Sequence, residues 1–118
     1  KLIMGGPLMG LAVSSDAVPV IKGTSGILAL TPEESEMPET RDCLRCGRCV
    51  DVCPMALAPN FLTDHLERGE LDEAEQAALF NCMECGGCTA LCPARRPMLQ
   101  WIRTGKFDLN KRKRKKPA

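Results

Sequence analysis

Cys43-Leu44-Arg45-Cys46-Gly47-Arg48-Cys49-Val50-Asp51-Val52-Cys53-Pro54 and, further on, Cys82-Met83-Glu84-Cys85-Gly86-Gly87-Cys88-Thr89-Ala90-Leu91-Cys92-Pro93 are two copies of one pattern. Each reads Cys-x2-Cys-Gly-x-Cys-x3-Cys-Pro, and together they use all eight cysteines of the 118-residue chain. Four thiolates within eleven residues can converge on one small inorganic core, and this run is the ligand pattern of bacterial two-cluster [4Fe–4S] domains. Gly47 and Gly86 follow the second cysteine of each run, where a loop wrapping closely around a cluster needs positive φ and no Cβ. Backbone N–H groups of such a loop point at sulfur and stabilise negative charge there.

In the two-cluster arrangement the fourth cysteine of each run ligates the other cluster. The expected division is therefore Cys43, Cys46, Cys49 and Cys92 for the first cluster, and Cys82, Cys85, Cys88 and Cys53 for the second. Crossing ties two distant parts of the chain together twice, so ligation becomes folding energy. Pro54 and Pro93 turn the chain away after the fourth ligand. Two other uses of the thiols compete with this one. Disulfides suit short secreted chains, but three thiols on one tight loop fit a metal core better, and no secretory signal is visible. Zinc takes Cys-x2-Cys pairs, yet a tetrahedral ion does not call for a third and fourth cysteine at fixed short offsets, twice. A zinc-stapled structural module is the alternative of a different class.

The rest of the composition agrees with a small domain held by metal. Three Phe, one Trp and no Tyr leave little aromatic volume for a core, and thin cores usually need a staple. The formal charge of +1 conceals an asymmetry, because Lys111–Lys116 supplies six of the sixteen basic residues. The remaining body is acidic, with ten basic against fifteen acidic side chains. No apolar run reaches the roughly 20 residues needed to span a bilayer, which points to a soluble or peripheral protein. The chain opens at Lys1 rather than Met, and is expected to be a segment of something longer.

Residues 1–30 read as a terminal β fragment of an upstream domain, with short strands at Val18-Pro19-Val20-Ile21-Lys22 and Ile27-Leu28-Ala29-Leu30. Gly5-Gly6-Pro7 reads as a turn, since no phosphate-loop pattern follows it. Residues 31–40 form an acidic, Pro-containing linker. Residues 41–104 carry the cysteines, and the segment between the runs is helical. Phe61/His65 and Leu62/Leu66 pair at i,i+4 with Gly69 as a stop; Leu71, Ala74, Ala78 and Leu79 follow a second helical stripe. A third helix starts near Pro97 and ends at Gly105, and residues 105–118 form a solvated basic tail. The fold class is mainly α: a helical two-cluster ferredoxin-type domain preceded by a short β fragment.

Other residues carry bland readings. His65, the only histidine, belongs to the surface or to packing. Trp101 covers apolar surface beside a cluster, and the methionines fill gaps. Arg41, Arg45, Arg48, Arg95 and Arg96 flank the runs; each is read as solvating the surface, with an offset of cluster charge as the alternative. No nucleophile–base constellation is present, so the segment has no catalytic residues of its own. The run Lys111–Lys116 could meet an anionic membrane or an acidic partner; nucleic acid ranks last, for want of a basic folded face or stacking aromatics.

With Gly5-Gly6-Pro7-Leu8-Met9-Gly10, Val18–Thr24, Cys43–Met55 and Cys82–Cys88 in hand, the chain resembles the C-terminal segment of the C subunit of electron transport complexes of the Rnf/Rsx type. The resemblance implies two [4Fe–4S] clusters in a peripheral subunit on the cytoplasmic face of the cell membrane. It implies a role in an ion-translocating ferredoxin:NAD oxidoreductase complex, relaying electrons between flavin/NAD chemistry and the membrane subunits. FMN and NAD sites are expected only upstream of this segment. Implied partners are the other subunits and ferredoxin. A cobalamin (corrinoid) reductase of the same family is the sibling alternative.

Overall fold

The computed structural model describes residues 1–37 and 39–115. Pro38 of the linker and Lys116–Ala118 at the end of the basic run lie outside the described residues. The chain divides into two compact units, Lys1–Glu39 and Thr40–Ala118.

The first unit is a three-stranded antiparallel sheet of β1 (Leu2–Met4), β2 (Leu11–Val13) and β3 (Ile27–Ala29), in the order β2-β1-β3. Gly5 leaves β1 at φ +110° while its N–H donates to Gly26 O at 2.8 Å. Gly10 closes the loop on Gly6 O, and a Cβ on Gly10 would stand 2.5 Å from the Ile3 side chain. The Gly-Gly-Pro segment is thus the turn of a hairpin. The strand expected at 27–30 is present, but the one expected at 18–22 is not. There Thr24 N–H donates to Ile21 O, and the Thr24 hydroxyl accepts from Ile21 N–H, closing a turn. Pro19 lacks a donor for a ladder, and strand formation depends on a partner edge, which went to residues 2–4 and 11–13 instead. None of the unit's described residues is buried, so it has no core of its own. In the linker, Thr31 and Glu34 form a reciprocal capping box around a short 3-10 turn, Glu33–Ser35.

The second unit contains α1 (Arg48–Asp51), α2 (Pro59–Glu67), α3 (Leu71–Gln76), α4 (Gly87–Ala90) and α5 (Met98–Lys115). No strand occurs among its described residues, although the cysteine-bearing loops keep regular helix below half of the whole chain. Pro59 sits at the start of α2, where its missing N–H costs nothing. Leu62, Thr63 and Leu66 bury one face, and the Thr63 hydroxyl is satisfied by Pro59 O at 2.7 Å. Gly69, at φ +75°, ends the helix as the i,i+4 pattern indicated. Asp72 and Glu73 lie in the first turn of α3 and Ala74 is fully buried.

Helix α5 runs well past the expected stop. Met98, Ile102, Gly105 and Leu109 are its buried stripe, spaced to face α2. Gly105 is a packing glycine: a Cβ there would stand 2.3 Å from Leu66 Cδ2. Close helix approach outweighs its poor helix propensity, about 1 kcal/mol. The basic residues through Lys115 therefore lie on the helix, not on a solvated tail. Arg112 pairs with Asp72, and Lys113 with Glu75 at 2.5 Å, which fastens this end to α3. Leu57, Leu62, Leu66, Ala74, Leu79, Ile102 and Leu109 form the core, with Cys53, Cys82 and Trp101 packed against it. No helix among the described residues is long and apolar enough to cross a membrane.

Candidate metal centres

The two cysteine runs repeat in backbone as well as in sequence. Every cysteine recurs thirty-nine residues on, and so do α1 in α4 and the start of α2 in that of α5. Left-handed residues recur at the same offset: Arg45 and Glu84, Gly47 and Gly86, Ala56 and Arg95. Among the described residues, five non-glycine residues hold positive φ, a conformation that is uncommon and clusters where a site demands it. Four of them belong to these loops. At each first cysteine the turn brings a backbone N–H onto sulfur: Arg45 N to Cys43 Sγ and Glu84 N to Cys82 Sγ, both 3.4 Å. Leu57 N reaches Cys53 Sγ at the same distance.

The side chains gather in two groups. Cys43, Cys46, Cys49 and Cys92 line one pocket. Cys53, Cys82, Cys85 and Cys88 line another. Each holds three cysteines of one run and the fourth of the other, and all eight thiols are free of disulfides. Among the described residues no three His, Cys, Asp or Glu side chains stand together closely enough to hold a metal ion. Burial pushes the Cys49 thiol up, against the opposing pull of the Asn60 backbone N–H. Burial likewise raises Cys88, opposed by the Thr89 hydroxyl and N–H.

The surroundings differ. Arg45, Arg48, Asn60 and Arg96 line the first pocket; Leu57, Leu62, Leu99, Ile102 and Glu84 line the second. Arg96 is the residue whose sequence reading fails, because it is not a surface arginine. Its side chain is only 6% exposed, and Nη2 contacts Asp64 at 2.8 Å and Glu67 at 2.7 Å. Burial opposes its charge, but those two carboxylates outweigh burial and hold the guanidinium protonated. Arg96 Nη1 and Asn60 Oδ1 are buried without a hydrogen-bond partner among the protein's own atoms, and both residues line the same pocket. Buried orphans of this kind call for a bound group. A compact anionic cluster suits the donor. Four thiols per pocket, N–H groups aimed at sulfur and, at the first pocket, a buried guanidinium with one nitrogen unbonded together fit a [4Fe–4S] centre.

Of the remaining sequence candidates, His65 lies elsewhere. His65 Nδ1 bonds Glu70 at 2.7 Å at the end of α2 and lines neither cysteine pocket. Glu84 accepts from Lys106 at 2.9 Å and Arg103 at 3.1 Å; the Lys106 bond, more than its neighbours, lowers its carboxyl below the ordinary range.

The 4Fe-4S dicluster domain family matches residues 37–93, which include all eight cysteines. Among curated proteins, the chain is 48% identical over 116 residues to the C subunit of the ion-translocating oxidoreductase complex of Rhodobacter capsulatus, covering 98% of this chain and 22% of that one. It is 44% identical over 115 residues to the C subunit of the Na(+)-translocating ferredoxin:NAD(+) oxidoreductase complex of Acetobacterium woodii, covering 98% and 26%. With the C subunit of the Yersinia enterocolitica ion-translocating oxidoreductase complex it shares 47% over 109 residues, covering 92% and 16%. The chain thus spans about a quarter or less of the length of these three relatives.

Proposed function

Because the chain belongs to the C-subunit family of ion-translocating oxidoreductase complexes, we propose that residues 40–115 relay single electrons through two [4Fe–4S] clusters. Cys43, Cys46, Cys49 and Cys92 hold the first, and Cys82, Cys85, Cys88 and Cys53 the second. The observation that carries this reading is the sorting of the thiols into two pockets, each with a fourth cysteine from the opposite run.

A bound cluster supplies a delocalised one-electron site that takes up charge without making or breaking a bond. The chain's contribution is to hold that site fixed and electrostatically tuned. Core residues Leu57, Leu62 and Ile102 pack at the second pocket. The left-handed residues keep the N–H groups of Arg45 and Glu84 on sulfur. The relay connects flavin and nicotinamide chemistry elsewhere in the full-length protein with the membrane-bound subunits of the complex, at the cytoplasmic face. Arg112 and Lys113 spend their charge on Asp72 and Glu75, which leaves less of the basic run for an anionic lipid surface or an acidic partner.

Anaerobic purification tests the proposal. The full-length protein should carry about eight iron and eight acid-labile sulfide for these two centres, with an electron paramagnetic resonance (EPR) signal on reduction. Colourless protein with stoichiometric zinc and no sulfide would establish the structural-zinc alternative instead.

A further inference from the structure

The two pockets share a backbone but not a charge distribution. Arg45, Arg48 and Arg96 line the first, whereas the residues at the same places in the other copy are Glu84, Gly87 and Leu57. Leu57 belongs to the apolar core. Glu84, which lines the second pocket, is already engaged by Arg103 and Lys106. The first pocket's lining holds three cations and no carboxylate, the second's one carboxylate and no cation. Arg96 commits Nη2 to Asp64 and Glu67, neither of which lines the cysteine pocket, and leaves Nη1 buried and unbonded.

Cluster potentials respond to nearby charge, hydrogen bonds to sulfur and exposure. Reduction adds one negative charge, and a buried N–H of a guanidinium stabilises that charge more than a leucine does. Arg45 and Arg48 are exposed and act in the same direction, more weakly because solvent screens them.

Resting on the two-cluster reading above, we propose that Arg96, reinforced by Arg45 and Arg48, gives the cluster of Cys43, Cys46, Cys49 and Cys92 the higher reduction potential. That cluster is then where a single shared electron rests. The exchange balances within the pair: the second centre loses one electron, the first gains it, and no proton or bond changes hands. Arg96 is a positioning residue for charge, not a catalytic one. The asymmetry makes the second centre the entry side for electrons moving downhill and the first the exit side.

The test is an EPR-monitored redox titration of the cluster-loaded, full-length protein. Cys85→Ser, which alters a ligand of the second centre, assigns the signals. Wild-type protein should show two one-electron steps, the more positive belonging to the first centre. Arg96→Leu should lower that step by at least about 59 mV, a tenfold change in a one-electron equilibrium constant, and leave the other in place. Arg96→Lys, which keeps the charge, should recover part of the loss. Should Arg96→Leu fail to load, Arg45→Glu decides, since the other copy already accepts Glu84 at that left-handed position; it should lower the same step by less, and less again in high salt. The proposal is overturned if the more positive step belongs to the second centre, or if neither the Arg96 nor the Arg45 variant moves the first centre while iron and sulfide are intact. Absent iron and sulfide in the wild-type protein would instead sink the relay reading beneath it.

Discussion

Leu66 of α2 lies directly over Gly105 of α5, so close that a β-carbon at Gly105 would stand 2.3 Å from Leu66 Cδ2. Leu66 is buried and cannot swing into water to make room. Gly105→Ala should therefore destabilise the second unit although alanine is the better helix former. Overpacking costs about 1–3 kcal/mol, against about 1 kcal/mol gained in propensity. Denaturant midpoints of the loaded protein should show a net loss, and adding Leu66→Ala should cost less than the two single changes summed. Strict additivity would mean that the two residues do not press on each other.

Glu84 links the second cysteine run to α5 through Lys106 and Arg103. Its carboxyl is lowered in the folded protein, chiefly by the Lys106 hydrogen bond. A depressed carboxyl stabilises the fold above its unfolded value, and that stability is lost as pH falls through the folded value. The window thus opens below the ordinary 4.5. Glu84→Gln should cost about 1 kcal/mol at neutral pH, the order of a partly exposed pair. The gap between variant and wild type in urea unfolding should close on acidification. A gap constant down to about pH 3 would show that Glu84 contributes packing alone.

The proposed crossed ligand sets predict which centre each cysteine controls. Cys53→Ala should abolish the signal of the centre held by Cys82, Cys85 and Cys88, and Cys92→Ala that of the other. Each should remove about half the iron and loosen the whole second unit, because ligation is folding energy there. Loss confined to the centre on the mutated cysteine's own run would establish uncrossed ligation.

What could be read in the chain beforehand follows from how local each feature is. The cysteine spacing, Gly47 and Gly86 are short-range chemistry, legible within each run. Helices α2 and α3 were legible because Leu62/Leu66 and Leu71/Ala74 repeat within one or two turns. The misreadings share one cause: partners far away in sequence. Gly105 looks like a stop until Leu66 arrives from α2. Lys111–Lys115 looks like a tail until Asp72 and Glu75 of α3 take up Arg112 and Lys113. Arg96 looks like surface until Asp64 and Glu67 bury it. Pairing of residues 2–4 with 27–29 was equally non-local, so the apolar Val18–Ile21 run drew the strand assignment wrongly. Comparing the two runs position by position would have marked Arg96 against Leu57, though not its burial.

The half-buried Cys49 and the buried Cys88 make assembly of the proposed clusters depend on pH. Burial raises Cys49 and Cys88 above the ordinary 9.0, so the metal-free fold keeps their protons where an unfolded chain begins to lose them. Stability from this source is fully present below 9.0 and is lost as pH rises through the elevated folded values. Cluster formation works against the same protons, since only thiolates ligate iron. Reconstitution of the apo, full-length protein at fixed iron and sulfide should release protons and proceed further at about pH 9 than at about pH 7. Proton uptake by buffers of differing ionisation enthalpy, followed by calorimetry, measures the release directly. Cys49→Ser and Cys88→Ser should each reduce the proton count; an unchanged count in both would mean that these two thiols are not among the ligands that deprotonate.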